Sequence, residues 1–373
     1  GFPDDYRCQQ GIFHRSIETW RPSPPLDVAK LPFPVDPPGN QQLNSLNVAS
    51  SRGCRNACSF CFIPPYYNFS GVRWRAPEHV IAEIDHRLRD KPHIHHIYFV
   101  DPSFPGYSGE LRQRSLAILR ELACRGLRFG FEARVDDLTP EFLARAVDYG
   151  LESIFLGVES ASERILKLIR KRITPQQASE AIRMIQRHAI QLHLGFIMYH
   201  PLSTIDDLAC NFDFLVTHEI LRHPDVTANM LHHAQIVLRG TPAWASLARQ
   251  GLLEPIQGNP FEARIRFQDP VVQAIARTTN QVVLYYFQLC DELHARYGLS
   301  ALELYQLPQP PHLPAPQRIN RLLIECFAQA LQLGRTCPSR SVTSALEDLA
   351  QQTCRQLEQI MRNFPLSPAE SRT

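Results

Sequence analysis

The sequence lacks a long apolar run, a secretory leader and a strong charge of either sign. Its 373 residues contain no apolar stretch long enough to cross a bilayer, so we expect no membrane partner and a cytoplasmic location. The formal net charge is only +2, which gives no electrostatic reason to expect nucleic-acid binding. Apolar residues make up 44% of the chain and charged residues 20%, so a sizeable buried core is expected.

Cysteine is present ten times, but its distribution does not suggest disulfides, because the chain is large and has no secretory signal. Seven cysteines are scattered singly, which favours ordinary packing or surface thiols. The other three, Cys54, Cys58 and Cys61, fall within eight residues in the stretch "CRNACSFC". That spacing requires a chemical explanation.

Three thiolates at this spacing can bind three irons of a [4Fe–4S] cluster and leave the fourth iron without a protein ligand. A closed zinc site is one rival, but it needs a fourth ligand, commonly from a second pair, and no second pair occurs. A trio of histidines at 93, 95 and 96 lacks the usual ligand spacing. A redox dithiol at Cys58 and Cys61 is the other rival, and it leaves Cys54 unexplained.

Strand-like and helix-like segments alternate through the middle of the chain. Six segments are predicted to form strands: 43–50, 93–101, 127–136, 151–160, 191–199 and 226–238. We therefore predict an α/β fold, a partial (β/α)6 TIM-like barrel of parallel strands with an extended N-terminal linker and a helical C-terminal domain. The cysteine loop, "DPSF" and "GVES" would fall at the carboxyl ends of strands, where the functional residues of such folds are usually found.

Composition predicts three parts. Residues 1–42 are rich in proline and form a lead-in or linker, 43–245 form the core, and 246–373 form a helical domain. Helices are predicted at 261–293 and 317–334, separated by the proline-rich stretch 307–316, with a loose tail from Phe364.

The cysteine loop resembles the C-x3-C-x2-C signature of the radical S-adenosylmethionine (SAM) enzymes. The resemblance extends from about residue 22 to 251 and includes Phe60 before the last cysteine. It implies that SAM chelates the open iron and that an external one-electron reductant drives its cleavage to a 5′-deoxyadenosyl radical, which abstracts a substrate hydrogen. The family's cofactor chemistry agrees with three thiols and one open iron.

The resemblance also implies SAM-binding positions outside the cysteine loop. These are Asp101, Glu132, Glu159, Ser160 and Arg172. Arg134, close to Glu132 in the sequence, could either contact SAM or pair with another residue of the protein. No acid or base is assigned. Tyr199 and His200 suit loop packing at least as well as acid–base chemistry, and His232 or His233 could line the cavity without a further argument for either.

Further segments resemble the cobalamin-associated branch of the family, among them "LPFP" at 31–34 and "SRGC" at 51–54. The D-x-H-x-x-G signature of that branch's cobalamin domain is missing, and the start at Gly1 favours truncation over a member that never had the domain. The branch implies cobalamin-linked methyl transfer, or related tailoring, on a small molecule or peptide. The alternatives are a methylthiotransferase or tRNA-modifying radical SAM enzyme, and a non-catalytic Fe–S scaffold.

Overall fold

The computed structural model describes residues 27–28, 31–36, 44–67, 71–297, 315–338 and 341–362. Its contacts divide the chain into two compact units, one of Gly1–Val158 with Glu180–Gly195, the other of Glu159–Ser179 with Phe196–Thr373. Most of the predicted lead-in, residues 307–314 and the tail from Phe364 lie outside the described residues. Among the described helices, none has the length and apolarity needed to span a bilayer.

A parallel sheet forms the centre of the first unit. The strands of this sheet are β1 (Ser45–Val48), β4 (His96–Phe99), β5 (Arg128–Arg134), β6 (Leu151–Glu159) and β7 (Gln191–Phe196). Between β1 and β4 the chain forms a separate hairpin of β2 (Ser51–Cys54) and β3 (Gly71–Trp74). The sheet order is β1-β4-β5-β6-β7, with β1, β4, β5 and β6 paired in parallel. Five of the six predicted strands are therefore confirmed, whereas the β2–β3 hairpin was not predicted.

Helices of this unit begin and end at residues that the sequence marks. They are α1 (Ile63–Tyr67), α2 (Pro77–Leu88), α3 (Gly109–Cys124) and α4 (Pro140–Tyr149). Thr139 caps α4 by accepting from the Phe142 N–H, and Gly150 ends it with a φ of +109°. A side-chain N-cap of this kind contributes about 1 kcal/mol. Local residues in the sequence therefore mark both limits of α4.

Aromatic side chains fill the core beneath the carboxyl end of this sheet. Phe104 stacks on Phe99, with ring centroids 4.2 Å apart, and on Phe131 at 5.3 Å. Phe142 of α4 meets Phe131 edge-on, and all four rings are buried. Burial contributes roughly 1.5–3 kcal/mol for each ring. The Phe104 N–H also donates to the Glu132 carbonyl at 2.9 Å. The stack and this hydrogen bond together hold the loop after β4 against β5.

The second unit is mainly helical. Its elements are α5 (Glu163–Leu168), the start of α6 (Pro175–Gln186), α7 (Ile205–Thr217), α8 (Pro224–His232), β8 (Val237–Leu238), α9 (Pro242–Arg249), β9 (Leu253–Ile256), β10 (Asn259–Ile265), α10 (Pro270–Tyr297), α11 (Ala315–Thr336) and α12 (Val342–Arg362). The last three helices pack on one another. The predicted helical C-terminal region is confirmed.

The predicted sixth strand, 226–238, is wrong over most of its length. Pro224 occupies the first turn of α8, where its fixed φ suits a helix, and Thr227, Ala228 and Leu231 are buried at helical spacing. Only after this helix does the chain extend, and there Ala234 forms an isolated parallel bridge with Tyr199.

The predicted helix at 261–293 begins too early. Residues up to Ile265 belong to β10, which pairs antiparallel with β8 and β9. Gly258, with a φ of +79°, makes the turn between β9 and β10. The helix itself, α10, starts at Pro270.

Candidate functional site

The three clustered cysteines lie at the end of β2 and in the connection from β2 to α1, within the β2–β3 hairpin and not directly after a strand of the main sheet. Cys54 ends β2, directly after Gly53, whose φ of +95° favours glycine. Cys58 is buried, and its carbonyl accepts from the Cys61 N–H at 3.2 Å, which closes a turn around the half-buried Phe60. The hairpin and turn therefore hold all three thiols on one short loop.

Two of these thiols accept hydrogen bonds from side chains. Asn56 Nδ2 lies 3.9 Å from Cys54 Sγ, and Arg134 Nη1 lies 3.6 Å from Cys58 Sγ. Donors directed at sulfur stabilise negative charge on it, and a cysteine sulfur that binds a metal carries such charge. Asn56 was not predicted, whereas for Arg134 internal pairing was one of the two interpretations that the sequence left open.

Arg134 at the end of β5 is buried and held from two sides. Its Nε donates to Asp136 at 2.8 Å, and its backbone N–H donates to Ser103 Oγ at 3.2 Å. Burial alone would lower the pKa of Arg134, but Asp136 and the Cys58 sulfur raise it overall. The guanidinium thus stays charged in contact with a cysteine of the loop.

Asp101 follows β4 and is completely buried. Its carboxylate accepts from the Ser50 N–H at 3.0 Å, from Ser50 Oγ at 2.9 Å and from Ser51 Oγ. Arg114 donates to the Ser50 carbonyl at 2.8 Å. Burial raises the pKa of Asp101, opposed by these donors and by Arg114. Asp101 therefore fixes the start of the cysteine hairpin.

Glu132 on β5 differs from Asp101 in that its carboxylate accepts no hydrogen bond within the described part of the chain. The side chain is half-buried, and burial together with the negative Asp101 raises the pKa of Glu132 above its ordinary value. A partly desolvated carboxylate without a protein donor is suited to a cationic ligand. Of the two acidic positions predicted in this unit, Glu132 is the one with free acceptor capacity.

The N-terminal strap, residues 31–36, docks on α2 of the same unit. Asp36 pairs with Arg87 at 2.6 Å and with Lys91 at 2.5 Å, and the Arg87 hydrogen bond lowers the pKa of Asp36 to about 2. Phe33 packs 5.3 Å from the His79 ring. The strap lines a cavity of about 240 Å³ together with residues of β1 and α2.

In the second unit, Glu159 ends β6 in a left-handed conformation, with a φ of +71°. Its carboxylate pairs with Lys171 Nζ at 2.8 Å, and both side chains are largely buried. Arg172 is exposed, because Arg170 and Arg172 also take positive φ values and turn Lys171 inward. The prediction named Arg172 from the run "RKRIT", and Lys171 was missed.

Ser160 is fully buried, and its hydroxyl donates to Asn211 Oδ1 of α7 at 2.8 Å. Asn211 also accepts from the Ala161 N–H at 2.8 Å and donates to the carbonyls of Ile197 and Met198. This amide joins the ends of β6 and β7. Asn211 was not predicted.

Tyr199 and His200, considered as acid–base groups, are engaged in packing. Tyr199 is buried, bonds Thr279 at 2.9 Å, and has its pKa raised by burial. His200 accepts from the Leu202 N–H at 3.0 Å, and burial lowers the pKa of His200 to about 4. Loop packing is thus the interpretation that the contacts favour.

Gln235 lies beside Tyr199 in the chain after α8, and its backbone N–H donates to the Tyr199 carbonyl at 2.9 Å. Its side-chain amide is buried, and within the described residues neither the nitrogen nor the oxygen has a hydrogen-bond partner. Tyr199 and Ala234 share one face of their ladder, so Gln235 points to the opposite face together with His233. Such an amide is a candidate contact for a bound molecule.

The cysteine loop fits an iron–sulfur cluster by its donor set, three thiols of which two already receive hydrogen bonds. The described residues include no group of three or more His, Cys, Asp or Glu side chains gathered around one point where a single metal ion could bind. A cubane does not require such a gathering, because each thiolate binds its own iron.

Residues 48–215 match the family model described as the Radical SAM superfamily. Residues 48–215 therefore carry a radical SAM domain, and a domain of this kind implies a [4Fe–4S] cluster and SAM as cofactors.

Two similar proteins and one similar structure extend this comparison. The chain is 32% identical over 201 residues to 4′-phospho-dehydrooxetanocin synthase of Priestia megaterium, a match covering 48% of this chain and 27% of that protein. It is 30% identical over 171 residues to an uncharacterized methyltransferase of Pyrococcus horikoshii, covering 45% and 36%. The structure of the apo cobalamin-dependent S-adenosylmethionine radical enzyme OxsB aligns with a TM-score of 0.66 at 18% identity, covering 94% of this chain and 63% of that one.

This structural similarity supports the fold, and the predicted α/β class with a parallel sheet and a helical C-terminal region is confirmed. The chain spans between 27% and 63% of the length of these relatives.

Proposed function

We propose that Cys54, Cys58 and Cys61 bind a [4Fe–4S] cluster whose fourth iron is left to SAM. The observation that carries this proposal is the cysteine loop, with three thiols between β2 and α1 and a buried guanidinium 3.6 Å from Cys58 Sγ. A reduced cluster, when bound, supplies the electron that cleaves SAM to methionine and a 5′-deoxyadenosyl radical able to abstract a substrate hydrogen.

The protein's own part is to hold the ligands, keep water away and retain charge in fixed positions. Cys58 is 7% exposed and Arg134 only 3% exposed, so the inner side of the loop is dry. Asp101 is a positioning residue in this proposal, since its carboxylate is occupied by Ser50 and Ser51. This role replaces direct contact with SAM as the function we assign to Asp101.

Glu132 is the residue of the first unit that we assign to the SAM ammonium group. Its carboxylate is half-buried and accepts no hydrogen bond from the described chain, and an ammonium ion would supply both the donor and the charge. Phe60, Glu159, Ser160 and Arg172 stay predictions for SAM contact, and the affinity of alanine variants for SAM tests each.

For the net reaction we propose cobalamin-linked methyl transfer, or a related tailoring step, on a small molecule or peptide. Support comes from the docked strap with its "LPFP" stretch and from the similarity to a synthase, a methyltransferase and a cobalamin-dependent enzyme. Methylthio transfer to RNA and a non-catalytic Fe–S scaffold are the alternatives that the same experiment distinguishes.

The test is anaerobic reconstitution with iron and sulfide, followed by reduction, addition of SAM and quantification of 5′-deoxyadenosine, with and without cobalamin. Cys58→Ala is the loss-of-ligand variant, and Cys124→Ala, an exposed cysteine of α3, is the matched control. We expect nucleoside from the parent and Cys124→Ala only, and a larger amount of nucleoside when cobalamin is added.

A parent chain that holds the cluster and binds SAM but forms no nucleoside would contradict reductive cleavage and favour the scaffold. Nucleoside formation that added cobalamin does not increase would contradict the cobalamin link. Sulfur transfer to RNA would establish the methylthiotransferase alternative.

A further inference from the structure

The guanidinium of Arg134 is a buried charged group in direct contact with a thiol of the cysteine loop. Nη1 lies 3.6 Å from Cys58 Sγ, while Nε is bound to Asp136 at 2.8 Å. The backbone of Arg134 belongs to β5, in the middle of the sheet order. The contact is therefore built on a rigid element and not on a mobile surface side chain.

Arg55 provides an internal comparison, because it lies within the same loop and carries the same charge. It pairs with Asp137 at 2.8 Å and Asp136 at 3.5 Å, stacks 4.7 Å over the Tyr107 ring, and is 40% exposed. None of these contacts involves a cysteine. Water and two carboxylates therefore screen its charge from the thiols.

Reduction of a cluster adds one negative charge, which spreads over iron, sulfide and the cysteine sulfurs. A positive charge and an N–H donor at one of those sulfurs stabilise the reduced state more than the oxidised state. The interaction is strong where water is excluded, and Arg134 and Cys58 are both buried. Asp136 offsets part of the charge, but it bonds Nε and leaves the Nη1 donor directed at sulfur.

We propose that Arg134 sets the reduction potential of the cluster by donating a hydrogen bond from a buried positive charge to the Cys58 sulfur. This inference rests on the proposed function, since it requires the cluster to be bound. Arg134 acts through Cys58, so it is a positioning and tuning residue. Its effect is to ease the transfer of one electron from the external reductant.

The test is the midpoint potential of the cluster, followed by electron paramagnetic resonance (EPR) during a redox titration of the reconstituted chain. Arg134→Gln removes the charge and shortens the donor, Arg134→Lys keeps the charge, and Arg55→Gln removes an equal charge without touching sulfur. We expect Arg134→Gln to lower the ratio of reduced to oxidised cluster about tenfold at fixed solution potential, equivalent to about 59 mV for one electron. Arg134→Lys should fall between it and the parent, and Arg55→Gln should change the ratio much less.

An unchanged midpoint in Arg134→Gln with a full cluster overturns the inference, as does an equal shift in Arg55→Gln. Because Arg134→Gln removes the closer of the two guanidinium partners of Asp136, the double variant Arg134→Gln/Asp136→Asn is measured as well, with circular dichroism and iron and sulfide content as controls. Cluster loss in Arg134→Gln and in the double variant, but not in Arg134→Lys, supports the need for a positive charge at this sulfur. Loss in all Arg134 variants reduces the role of Arg134 to folding, and failure of the parent to bind a cluster refutes the proposed function instead.

Discussion

Glu132→Gln is the substitution that separates a ligand-binding carboxylate from a structural one. The change keeps the size of the side chain and removes its charge. In the folded chain Glu132 is half-buried on β5, near the negative Asp101, and both features raise the pKa of Glu132 above its ordinary value of 4.5. If Glu132 binds the SAM ammonium, the variant loses a hydrogen bond between two charged groups.

A hydrogen bond of that type contributes about 1.5–3 kcal/mol. Its loss would raise the dissociation constant of SAM by about ten- to a hundredfold. Binding should also weaken in the parent as the pH falls toward the raised pKa, because protonation neutralises the carboxylate. The variant should lack this acid-side dependence.

Stability should change in the opposite direction. A carboxyl group with a raised folded-state pKa is most favourable to the fold when protonated, and that contribution is lost as the pH rises through the folded-state pKa. At neutral pH the ionised Glu132 therefore costs folding free energy, and the neutral glutamine side chain of the variant removes the cost. We expect Glu132→Gln to melt no lower than the parent while it binds SAM more weakly.

Equilibrium dialysis with SAM on the cluster-loaded chain measures the affinity, and thermal melting measures the stability. Glu152→Gln is the matched control, because Glu152 lies on the neighbouring β6, is 47% exposed and pairs with Arg128. Unchanged SAM affinity in Glu132→Gln, or an equal loss in Glu152→Gln, would refute the assignment of Glu132.

Three further substitutions test other parts of the site. Asp101→Ala should leave the buried Ser50 and Ser51 donors unpaired and lower the free energy of unfolding in urea by about 2–5 kcal/mol, and a loss under about 1 kcal/mol would contradict the positioning role. Gln235→Leu should raise the free energy of unfolding by about 1 kcal/mol, because the buried Gln235 amide has no hydrogen-bond partner within the described residues. Asn211→Leu should lower the free energy of unfolding by about 2–4 kcal/mol, because the Asn211 amide is hydrogen-bonded and its loss leaves the buried Ser160 hydroxyl without its acceptor. Destabilisation by Gln235→Leu would show that the Gln235 amide is satisfied in solution.

Much of the first unit could be predicted because its signals are local. Thr139, Pro140 and Gly150 mark both ends of α4 within a dozen residues, and each acts through its own backbone. Alternating strands and helices of ordinary length likewise predict a parallel sheet without knowledge of tertiary contacts. The cysteine spacing is also a local pattern, and the match to the radical SAM family agrees with it.

The errors arose where two local signals competed. In 226–238 the apolar and β-branched residues suggested a strand, but Pro224 and the helical spacing of Thr227, Ala228 and Leu231 favoured α8. At Gly258 a two-residue turn between short apolar stretches indicated a hairpin, and that signal was missed. Both segments lie where the regular alternation of strand and helix ends.

The contacts of the site could not be predicted, because they join residues far apart in the chain. Asp101 meets Ser50 and Ser51 across about fifty positions, and Arg134 meets Cys58 across 76. Which of Lys171 and Arg172 turns inward depends on the positive φ values of Arg170 and Arg172, which nothing in a run of basic residues specifies. Sequence therefore indicated the kind of chemistry, and tertiary structure decided which side chains contact the cysteine loop and which turn into the protein.

The EPR spectrum of the reduced, reconstituted chain before and after addition of SAM tests the central claim most directly. Binding of SAM to an iron without a protein ligand should change the spectrum of the parent and of Cys124→Ala, whereas Cys58→Ala should give no such cluster signal. A full cluster in the parent whose spectrum is the same with and without saturating SAM would contradict an open iron held by Cys54, Cys58 and Cys61.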